Sequence, residues 1–480
     1  GVSEGILSVK IEVDQERAMD KIYSEILRKK SAPSDKIALE LDYAVEDAFK
    51  RLLHPSIENE VLKMVKEKAD LESIRVFGEN LTQLLMSPPL GQKRVLAIDP
   101  GYRTGCKVVC LDAQGTLLHN DTIYPHPPQN ERSMAIKKIS NMVSAYKIEV
   151  IAIGNGTAGR ETENFIKKIA MPPHLKVYSV SEDGASVYSA SPAAREEFPD
   201  YDVTVRGAVS IGRRIMDPLA ELVKIDPKSI GVGQYQHDVD QTLLKNSLDD
   251  VVEKCVNNVG VNLNTASKHL LSYVSGIGPA LAKNIVEYRD ENGPFTSRSE
   301  VLKVKRLGDK AYEQCAGFLR IPGAKNPLDN TAVHPERYKL VEQMAKDLKV
   351  TVAQLISDSS LRESIDLNSY ISDQVGIPTL TDIMTELAKP GRDPRASVKG
   401  LEFAEDIRTI EDLQVGMVLP GIVTNITNFG AFVDFGIKQN GLIHISKLKQ
   451  KVSLHQHVKV RVMDVELKRG RIALELDSVL

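Results

Sequence analysis

The chain has 480 residues, of which 42% are hydrophobic and 26% are charged, and its formal net charge is −3. This length is too great for one hydrophobic core, so we expect roughly three to five domains. No apolar stretch approaches the roughly 20 residues of a membrane helix, no signal peptide is recognisable, and the four cysteines form neither a CxxC pair nor a zinc spacing. A cytoplasmic protein without a membrane partner is therefore expected.

The N-terminal region, residues 1–90, is predicted to be a partial helical bundle. Apolar residues recur near helical spacing in Glu16–Lys30, Asp42–Leu53 and Ile57–Ala69. Prolines separate these runs. No residue pattern in this region indicates chemistry.

Residues 91–225 change character and predict an α/β domain. Three strands are expected first, in a meander, and helices then alternate with strands, which is the order of an RNase H-like fold. The predicted strands are Arg94–Ile98, Lys107–Leu111, Thr116–Ile123, Val150–Ile153 and Lys176–Val180, and the predicted helices are Glu131–Tyr146, Gly159–Ala170 and Thr204–Leu222.

Asp99 closes the first of these strands and is followed by a glycine-containing turn. Two-metal phosphoryl chemistry needs several convergent carboxylates, and one Asp is insufficient. The strand Val150–Ile153 ends in glycine where a second acid is expected, and the last helix opens with Arg206, which would repel a metal and could meet a phosphate. Glu182 and Asp183 are the nearby alternatives. Asp99 is therefore predicted to be a vestigial candidate, with no metal, no cofactor and no catalytic residue.

A second glycine-rich turn, Asn155–Thr162, joins a predicted strand to the helix that follows it. It could cradle a phosphate at the N-terminus of that helix, but it lacks the Gly-Lys-Ser/Thr sequence of a Walker A loop. The favoured interpretation is a turn that the fold requires.

Residues 226–325 are predicted to be helical and to contain a pair of helix-hairpin-helix units. The first unit has a helix over Asn264–Tyr273, a turn with Gly276 and Gly278, and a second helix over Pro279–Glu287. Glycines in such a turn let a phosphate reach the N–H groups of the following helix. A proline fits the first position of that helix because its missing N–H would have no partner there.

A degenerate second unit follows, with helices over Glu300–Lys303 and Asp309–Phe318. Residues 264–325 hold ten basic and six acidic residues, a balance of +4 within a chain whose net charge is −3. This segregation of charge favours nucleic-acid binding, and the alternative is that the hairpins only pack internally. The predicted backbone-binding residues are Gly276, Gly278, Lys283, Lys305, Arg306, Gly308 and Lys310.

Residues 326–412 are predicted to be a helical connector with a hinge at 389–395, where the sequence Lys-Pro-Gly-Arg-Asp-Pro-Arg is rich in turn residues. The hinge would let the domain that follows it move.

The last region, residues 413–480, contains an aromatic run with strand-like alternation. Phe432 shares one strand face with Asp434, Phe429 can join that face, and His444 follows in the next apolar run. Aromatic rings on one surface stack unpaired bases, at roughly 1–3 kcal/mol per base. Nine basic residues against five acidic ones give this region a balance of +4, which attracts a phosphate backbone.

The run Phe-Gly-Ala-Phe at 429–432 and His-Ile-Ser at 444–446 resemble the signature of the S1 RNA-binding domain, a five-stranded OB-fold barrel. The resemblance implies that Phe429, Phe432 and His444 form the nucleic-acid face and that Asp464 and Arg471 match an acid and a base of the family. The alternative is that the rings only close the barrel. The expected binding residues are Phe429, Phe432, His444, Arg461, Lys468 and Arg471.

The turn Asp-Pro-Gly-Tyr-Arg-Thr-Gly at 99–105 resembles the YqgF group of RuvC-like domains, and the order of all regions resembles the Tex family of bacterial transcription accessory proteins. The family's first segment has no counterpart here, so an N-terminally truncated chain is expected. The fold class predicted is multidomain α+β, with a helical bundle, an RNase H-like α/β domain, an all-α helix-hairpin-helix domain and an all-β OB-fold barrel.

The resemblance implies a cytoplasmic, non-catalytic accessory factor of transcription. The partners expected are RNA or single-stranded DNA, with duplex DNA and RNA polymerase as further candidates. Two alternatives remain open from the residues. One is a metal-dependent, structure-specific nuclease of the Holliday-junction resolvase type that acts through Asp99, and the other is a protein-interaction scaffold of the transcription machinery.

Overall fold

The computed structural model describes residues 5–26, 36–172, 175–233, 235–372, 375–388, 391, 393–395, 410–427, 429–435, 437, 439–453, 456–467 and 469–479. The chain divides into two compact units, residues 1–75 with 236–240 and residues 76–235 with 241–480. Within the described residues no helix is both long and apolar enough to cross a membrane.

The N-terminal helices begin with α1 (Gln15–Ile26) and α2 (Lys36–Ala48), and α3 (His54–Leu85) follows. A π-helical segment, Phe49–Leu53, lies between α2 and α3, and the His54 N–H donates to the Phe49 carbonyl. Pro55 was expected to separate two helices. Instead, helical structure continues past it, and the five-residue π-helical segment leads directly into α3.

The first part of the second unit is an α/β domain, and its predicted RNase H-like order is confirmed. The mixed sheet has the order β3-β2-β1-β4-β5, in which β2 is antiparallel to both of its neighbours and the other four strands run parallel to one another. The strands are β1 (Val95–Asp99), β2 (Cys106–Leu111), β3 (Leu117–Ile123), β4 (Val150–Gly154) and β5 (Lys176–Val180). The helices are α4 (Arg132–Ala145), α5 (Gly159–Lys167), α6 (Ala185–Ala190), α7 (Pro192–Glu197), α8 (Val203–Met216) and α9 (Pro218–Leu222).

Two apolar clusters lie on the two faces of this sheet. One face packs against α4 and α5 and includes the buried thiols Cys106 and Cys110. The other face packs against α8, where an added Cβ at Gly212 would lie 2.6 Å from Leu111. Gly212 therefore permits the close approach of helix to sheet.

The single long helix predicted over Thr204–Leu222 is wrong. The chain leaves helical geometry at Asp217, with φ −152° and ψ 100°, and Pro218 begins a new helix. A residue before proline is disfavoured in the helical region because the proline ring clashes with it. Asp217 then caps α9 by accepting a hydrogen bond from the Ala220 N–H at 3.2 Å.

The helix-hairpin-helix region begins with α10 (Gln241–Val259), after which short strands β6 (Val261–Asn262) and β7 (Leu319–Arg320) pair in parallel. Its helices are α11 (Lys268–Leu271), α12 (Pro279–Asn292) and α13 (Asp309–Cys315), and a 3-10 helix covers Arg298–Lys303. The helix predicted over Asn264–Tyr273 is thus one turn only, since Ser267 caps it and a turn precedes it.

The connector that follows is helical, as predicted. Its helices are α14 (Tyr338–Asp347), α15 (Val352–Ser357), α16 (Ser359–Glu363) and α17 (Ile377–Leu387), around a shared apolar core. Residues 389, 390 and 392 of the predicted hinge lie outside the described residues.

The described end of that hinge is tethered to the α/β domain. Arg395 has a side chain only 3% exposed and pairs with Asp217 at 2.7 Å and with Asp393 at 2.6 Å. Motion about these residues therefore requires that a buried guanidinium leave Asp217.

The C-terminal region is a closed barrel with strand order β10-β12-β11-β8-β9, which confirms the predicted OB-fold class. Its strands are β8 (Val418–Thr427), β9 (Gly430–Asp434), β10 (Gly441–His444), β11 (His457–Glu466) and β12 (Arg471–Val479). Alternate residues of each strand fill one apolar core.

Candidate nucleic-acid interface

The aromatic face of the barrel, which we define as Phe429, Phe432 and His444, lies on β9 and β10. Ala431 and Val433 are fully buried, so the alternation of the strand directs Phe432 and Asp434 to the outside. Phe429 is 48% exposed and Phe432 is half-buried, which places both rings outside the core.

The two rings form an edge-to-face pair. Their centroids are 6.1 Å apart and their planes are at 87°, a favourable geometry for aromatic side chains. His444 is exposed and pairs in register with Gly430 of β9, and the Phe429 carbonyl accepts the Ile445 N–H at 2.8 Å. The three predicted side chains are thus brought to one edge of the barrel, where they can stack bases.

The predicted cations of the barrel lie elsewhere on its surface. Arg461 is on β11 opposite Glu475, and its guanidinium pairs with Asp477 at 2.9 Å. Strand β12 lies between Arg461 and β10, the strand that carries His444. Arg471 is exposed at the start of β12 opposite Glu466, and Lys468 lies outside the described residues.

Asp464, which matches an acid of the S1 family, lies in line with the aromatic face. It pairs with Ala473 across β11 and β12, Ala473 pairs with Leu442, and Leu442 pairs with Phe432. This row runs across the outer surface of four neighbouring strands. Asp464 therefore belongs to the surface that a strand bound on Phe432 would cross.

The two hairpins of the helix-hairpin-helix pair pack on each other. An added Cβ at Gly276, in the first turn, would lie 2.7 Å from Gln314 of α13. Asn284 of α12, in the first hairpin, donates a hydrogen bond to the Lys305 carbonyl in the turn of the second hairpin at 2.8 Å. The hairpins form one body, and both turns are positioned by it.

The helices that follow both turns begin in the same way. Gly278 precedes α12 with ψ 175° and Gly308 precedes α13 with ψ 176°, and neither has an atom within 4 Å of an added Cβ. The space beside each glycine is therefore open, and the N–H groups of a first helical turn can bind a phosphate. Lys283, Lys305, Arg306 and Lys310 are exposed around these turns.

Arg306 occupies the position that Gly276 has in the first hairpin. Their φ angles are +66° and +82°, in the left-handed region where a side chain is unfavourable. A cation here brings a cost in backbone strain. Its exposure at the turn is consistent with the predicted contact to a phosphate.

Three of the ten cations counted in this region are hydrogen-bonded to main-chain carbonyls of the protein itself. Arg298 is 1% exposed and donates to the Leu319 carbonyl at 2.9 Å and the Val333 carbonyl at 2.8 Å. Arg289 and Arg320 likewise donate to main-chain carbonyls, and burial lowers the pKa of Arg320 to about 10. The sequence balance of +4 therefore overstates the positive charge available to a ligand.

A third hairpin was missed by the sequence prediction. Gly376 precedes α17 with φ −95° and ψ 172°, close to the values at Gly308, and the residue before it, Val375, is buried like Leu307. The signal was the run Val-Gly-Ile-Pro at 375–378, which is similar to Ile-Gly-Pro at 277–279. Helix α17 has no Lys or Arg, so this hairpin lacks the cations of the other two.

The carboxyl edge of the mixed sheet holds Asp99 beside Glu182. Burial and the charge of Glu182 raise the pKa of Asp99 to about 6, and burial raises the pKa of Glu182 as well. An added Cβ at Gly154 would lie 2.5 Å from the Glu182 carboxylate. Glu182 thus fills the space where an acid at the end of β4 would project.

These two carboxylates do not fit the metal pair that an RNase H-like fold implies. Such a pair needs several ligands that converge on both ions. No group of three or more His, Cys, Asp and Glu residues is arranged to hold an ion in the described ranges. The absence of a metal and of a catalytic residue nevertheless stays a prediction.

The glycine-rich turn at 155–162 already contacts an anion of the protein itself. The Gly156 N–H donates to the Glu182 carboxylate, and an added Cβ at Gly159 would lie 2.5 Å from the Gly154 carbonyl. The close backbone approach favours the interpretation of this turn as one that the fold requires. A phosphate in the same place would meet the negative charge of Glu182.

The suggestion that Arg206 could meet a phosphate is wrong. Arg206 is 8% exposed, its Nε donates to the Phe198 carbonyl at 3.0 Å and its Nη1 to the Ser189 carbonyl at 3.5 Å. The carbonyls of Ser189, in α6, and of Phe198, after α7, thus accept the hydrogen bonds of the guanidinium. Neither of these short helices was predicted. Gly207, whose added Cβ would lie 3.4 Å from Asp99, is the residue of α8 that faces the sheet edge.

An RNase H-like sheet, paired helix-hairpin-helix units and an OB-fold barrel in one chain define a multidomain nucleic-acid-binding protein. Family models match each part in this order. They are the Tex protein YqgF-like domain over residues 93–216, the helix-hairpin-helix motif over 256–320, the HHH domain over 326–395 and the S1 RNA binding domain over 412–477.

Relatives match nearly the whole chain. It is 51% identical to Protein tex of Bordetella pertussis over 432 residues, which is 88% of this chain and 55% of that protein. It is 47% identical to the Transcriptional accessory protein Tex of Neisseria gonorrhoeae over 490 residues, 99% of this chain and 64% of that protein. It is 46% identical to Uncharacterized protein YdcI of Bacillus subtilis, with 99% and 68% covered.

The chain thus spans between about half and two thirds of the length of these curated relatives. It belongs to the Tex family.

Proposed function

We propose that this chain is a nucleic-acid-binding accessory factor of transcription without catalysis of its own. The barrel stacks bases of RNA or another single strand on the aromatic face. The paired hairpins hold the sugar-phosphate backbone without reading sequence. Because the two modules are linked, each raises the effective concentration of the strand at the other.

The observation that carries this proposal is the exposed edge-to-face pair of Phe429 and Phe432. A ring buried in the barrel would only stabilise the fold, whereas rings outside the core leave apolar surface that a base can cover. The open glycine caps at Gly278 and Gly308 support the backbone contacts. The name of one relative, Transcriptional accessory protein Tex, supports a role in transcription, and RNA polymerase in the cytoplasm is the proposed protein partner.

The test is a titration of the chain with fluorescently labelled RNA, single-stranded DNA and duplex DNA of one length at two salt concentrations. We expect binding to both single strands, with affinity that falls as salt rises because phosphate contacts release counterions. Weak binding with no salt dependence would contradict the proposal and favour the protein-interaction scaffold.

A second function, a metal-dependent nuclease for branched DNA, is favoured by one observation. The Glu182 carboxylate occupies the place of a strand-end acid next to Asp99. The test is incubation with a labelled four-way junction in Mg²⁺ or Mn²⁺, beside the Asp99→Asn variant. Cleavage by the wild type that this substitution abolishes would establish the nuclease, and we expect none.

A further inference from the structure

The barrel contacts the rest of the second unit next to the aromatic face. Arg160 of α5 donates from Nη2 to the Asp434 Oδ1 atom at 2.9 Å. Asn80 of α3, which is 1% exposed, lies with its Nδ2 atom 3.3 Å from the Ile426 carbonyl and 3.4 Å from Asn425 Oδ1. The carboxyl-edge turn of the mixed sheet and the outer surface of β8 and β9 therefore adjoin.

Asp434 lies close to the site where a base would stack. It follows Phe432 by two residues on the same outward side of β9, a separation of roughly 6.6 Å along the strand. Asn425 of the neighbouring strand β8 pairs in register with Phe432. A strand that covers Phe432 and continues in this direction meets the Arg160–Asp434 pair.

The ion pair between Arg160 and Asp434 is weak enough for Arg160 to exchange Asp434 for another anion. The side chains of Arg160 and Asp434 are 38% and 28% exposed, and such pairs contribute little to stability because water screens them. In the described part of the chain, one N–H group of the Arg160 guanidinium is used. A phosphate can accept two parallel hydrogen bonds from such a planar fork, which makes it a stronger partner than a single carboxylate oxygen.

We propose that Arg160 is a nucleic-acid-binding residue, which exchanges Asp434 for a phosphate when a single strand lies on the aromatic face. The inference rests on the proposed function and extends it, because it assigns part of the binding surface to the RNase H-like domain. In the free chain, Asp434 holds Arg160 in place. In the complex, the guanidinium bridges the barrel and the bound strand.

The test is a titration with a fluorescein-labelled single-stranded RNA across a salt series, for the wild type and five variants. Arg160→Ala is expected to weaken binding about fivefold and to reduce the slope of log affinity against log salt by about 0.7, the value of one lost phosphate contact on a single strand. Arg160→Lys is expected to keep the slope and lose part of the affinity. Asp434→Asn frees the guanidinium and is expected to tighten binding about twofold.

Two controls separate phosphate binding from barrel docking. Asn80→Ala removes the neighbouring contacts to Asn425 and Ile426, together with a hydrogen bond to the Val232 carbonyl, without a change of charge and should leave the salt slope as in the wild type. Arg51→Ala removes an arginine from an ion pair of the same 2.9 Å length, Arg51–Asp47, in the other unit, and should leave affinity within twofold. Thermal unfolding of each variant checks that the domains remain folded.

Three outcomes overturn the inference. Arg160→Ala with unchanged affinity and slope excludes a phosphate contact. Equal loss of RNA affinity in Arg160→Ala and Asp434→Asn would show that the ion pair has only a structural role. Equal gain of RNA affinity in both would show that the ion pair holds the barrel in a position that hinders binding and that either substitution releases it. If the wild type binds no RNA, the proposed function fails first. If it binds through Phe429 and Phe432 while Arg160 has no effect, the inference alone fails.

Discussion

The barrel and the RNase H-like domain differ in the exposure of their candidate functional side chains. On the barrel, Phe429 and His444 point outward, away from the apolar core. At the sheet edge, Asp99 and Glu182 are largely buried together, and each has a raised pKa. One surface leaves aromatic rings open to solvent, whereas the other buries two carboxylates side by side.

The arginines follow the same division. Arg206 and Arg214 of α8 are buried and donate to main-chain carbonyls, and Arg214 holds the carbonyls of Ser181 and Asp183 on either side of Glu182. Arg306, at the second hairpin turn, is exposed in spite of a strained φ of +66°. A cation therefore indicates a ligand only where the backbone of the protein has not already bound it.

The largest effect is expected from removal of both rings. Phe429→Ala with Phe432→Ala should weaken single-stranded RNA binding at least about tenfold, since each stacked base contributes roughly 1–3 kcal/mol. Thermal unfolding should change little because both rings lie outside the core. Met463→Ala, which truncates an exposed apolar side chain of β11, is the control in the same anisotropy titration. Equal RNA affinities for the Phe429/Phe432 double variant and the Met463 variant would mean that the aromatic face is not a binding surface, and would remove the contrast between the barrel and the sheet edge.

The buried arginine should affect stability and leave binding unchanged. Arg206→Met leaves the carbonyls of Phe198 and Ser189 without a donor, so we expect a loss of about 2 kcal/mol in the free energy of unfolding measured in urea. Arg195→Met, which changes an exposed arginine of the same domain, should stay within about 0.5 kcal/mol. A loss of RNA affinity without loss of stability in the Arg206 variant would place a ligand at α8.

The pH dependence of stability should reveal the buried carboxylate. A folded pKa of about 6 for Asp99, against an ordinary value of 3.8, means that ionisation opposes folding. This penalty is absent below pH 3.8, grows as the pH rises to about 6, and remains constant above that. Asp99→Asn should therefore stabilise the protein by about 1–2 kcal/mol at pH 7 and have no such effect near pH 4.

Urea unfolding of the wild type and the Asp99→Asn variant at a series of pH values measures this difference. Asp200→Asn removes a carboxylate at an exposed position of the same domain and serves as the control. A destabilised Asp99→Asn variant at pH 7 would mean that the carboxylate has a partner that needs its charge, such as a metal ion.

The smallest effects are expected at the hairpin turns, with opposite signs at equivalent positions. Arg306→Gly should raise the free energy of unfolding by up to about 1 kcal/mol, because glycine accepts a positive φ, and should weaken duplex binding two- to fivefold through one lost phosphate contact. Gly276→Ala should lower stability, since its Cβ meets Gln314 at 2.7 Å. Unchanged duplex affinity of the Arg306→Gly variant would favour hairpins that only pack internally.

Much of this fold could be predicted from the sequence because its strands have strong local patterns. The run Val95–Asp99 and the strand Lys176–Val180 are short, apolar and bounded by turn residues, and they fall where expected. The outward direction of Phe432 likewise followed from alternation with Ala431 and Val433. These features depend on neighbours in the sequence.

The remaining features depend on tertiary contacts. Arg206 was expected to be able to meet a phosphate, but the carbonyls of Ser189 in α6 and Phe198 after α7 accept its hydrogen bonds. Glu182 lies after β5 and reaches the end of β4 through space. Two features had a local signal in the sequence. Pro218 indicates the end of α8 at Asp217, and the run around Gly376 indicates the third hairpin, but each signal lies within a longer helical pattern.

The most direct test of the account is photocrosslinking of the wild-type chain to a 4-thiouridine RNA in Mg²⁺, with mass spectrometry of the crosslinked peptides and gel analysis of the RNA. We predict crosslinks to the peptides that carry Phe429 and Phe432 and an RNA that is recovered at full length. Crosslinks concentrated on the peptide around Asp99, together with shortened RNA, would contradict it.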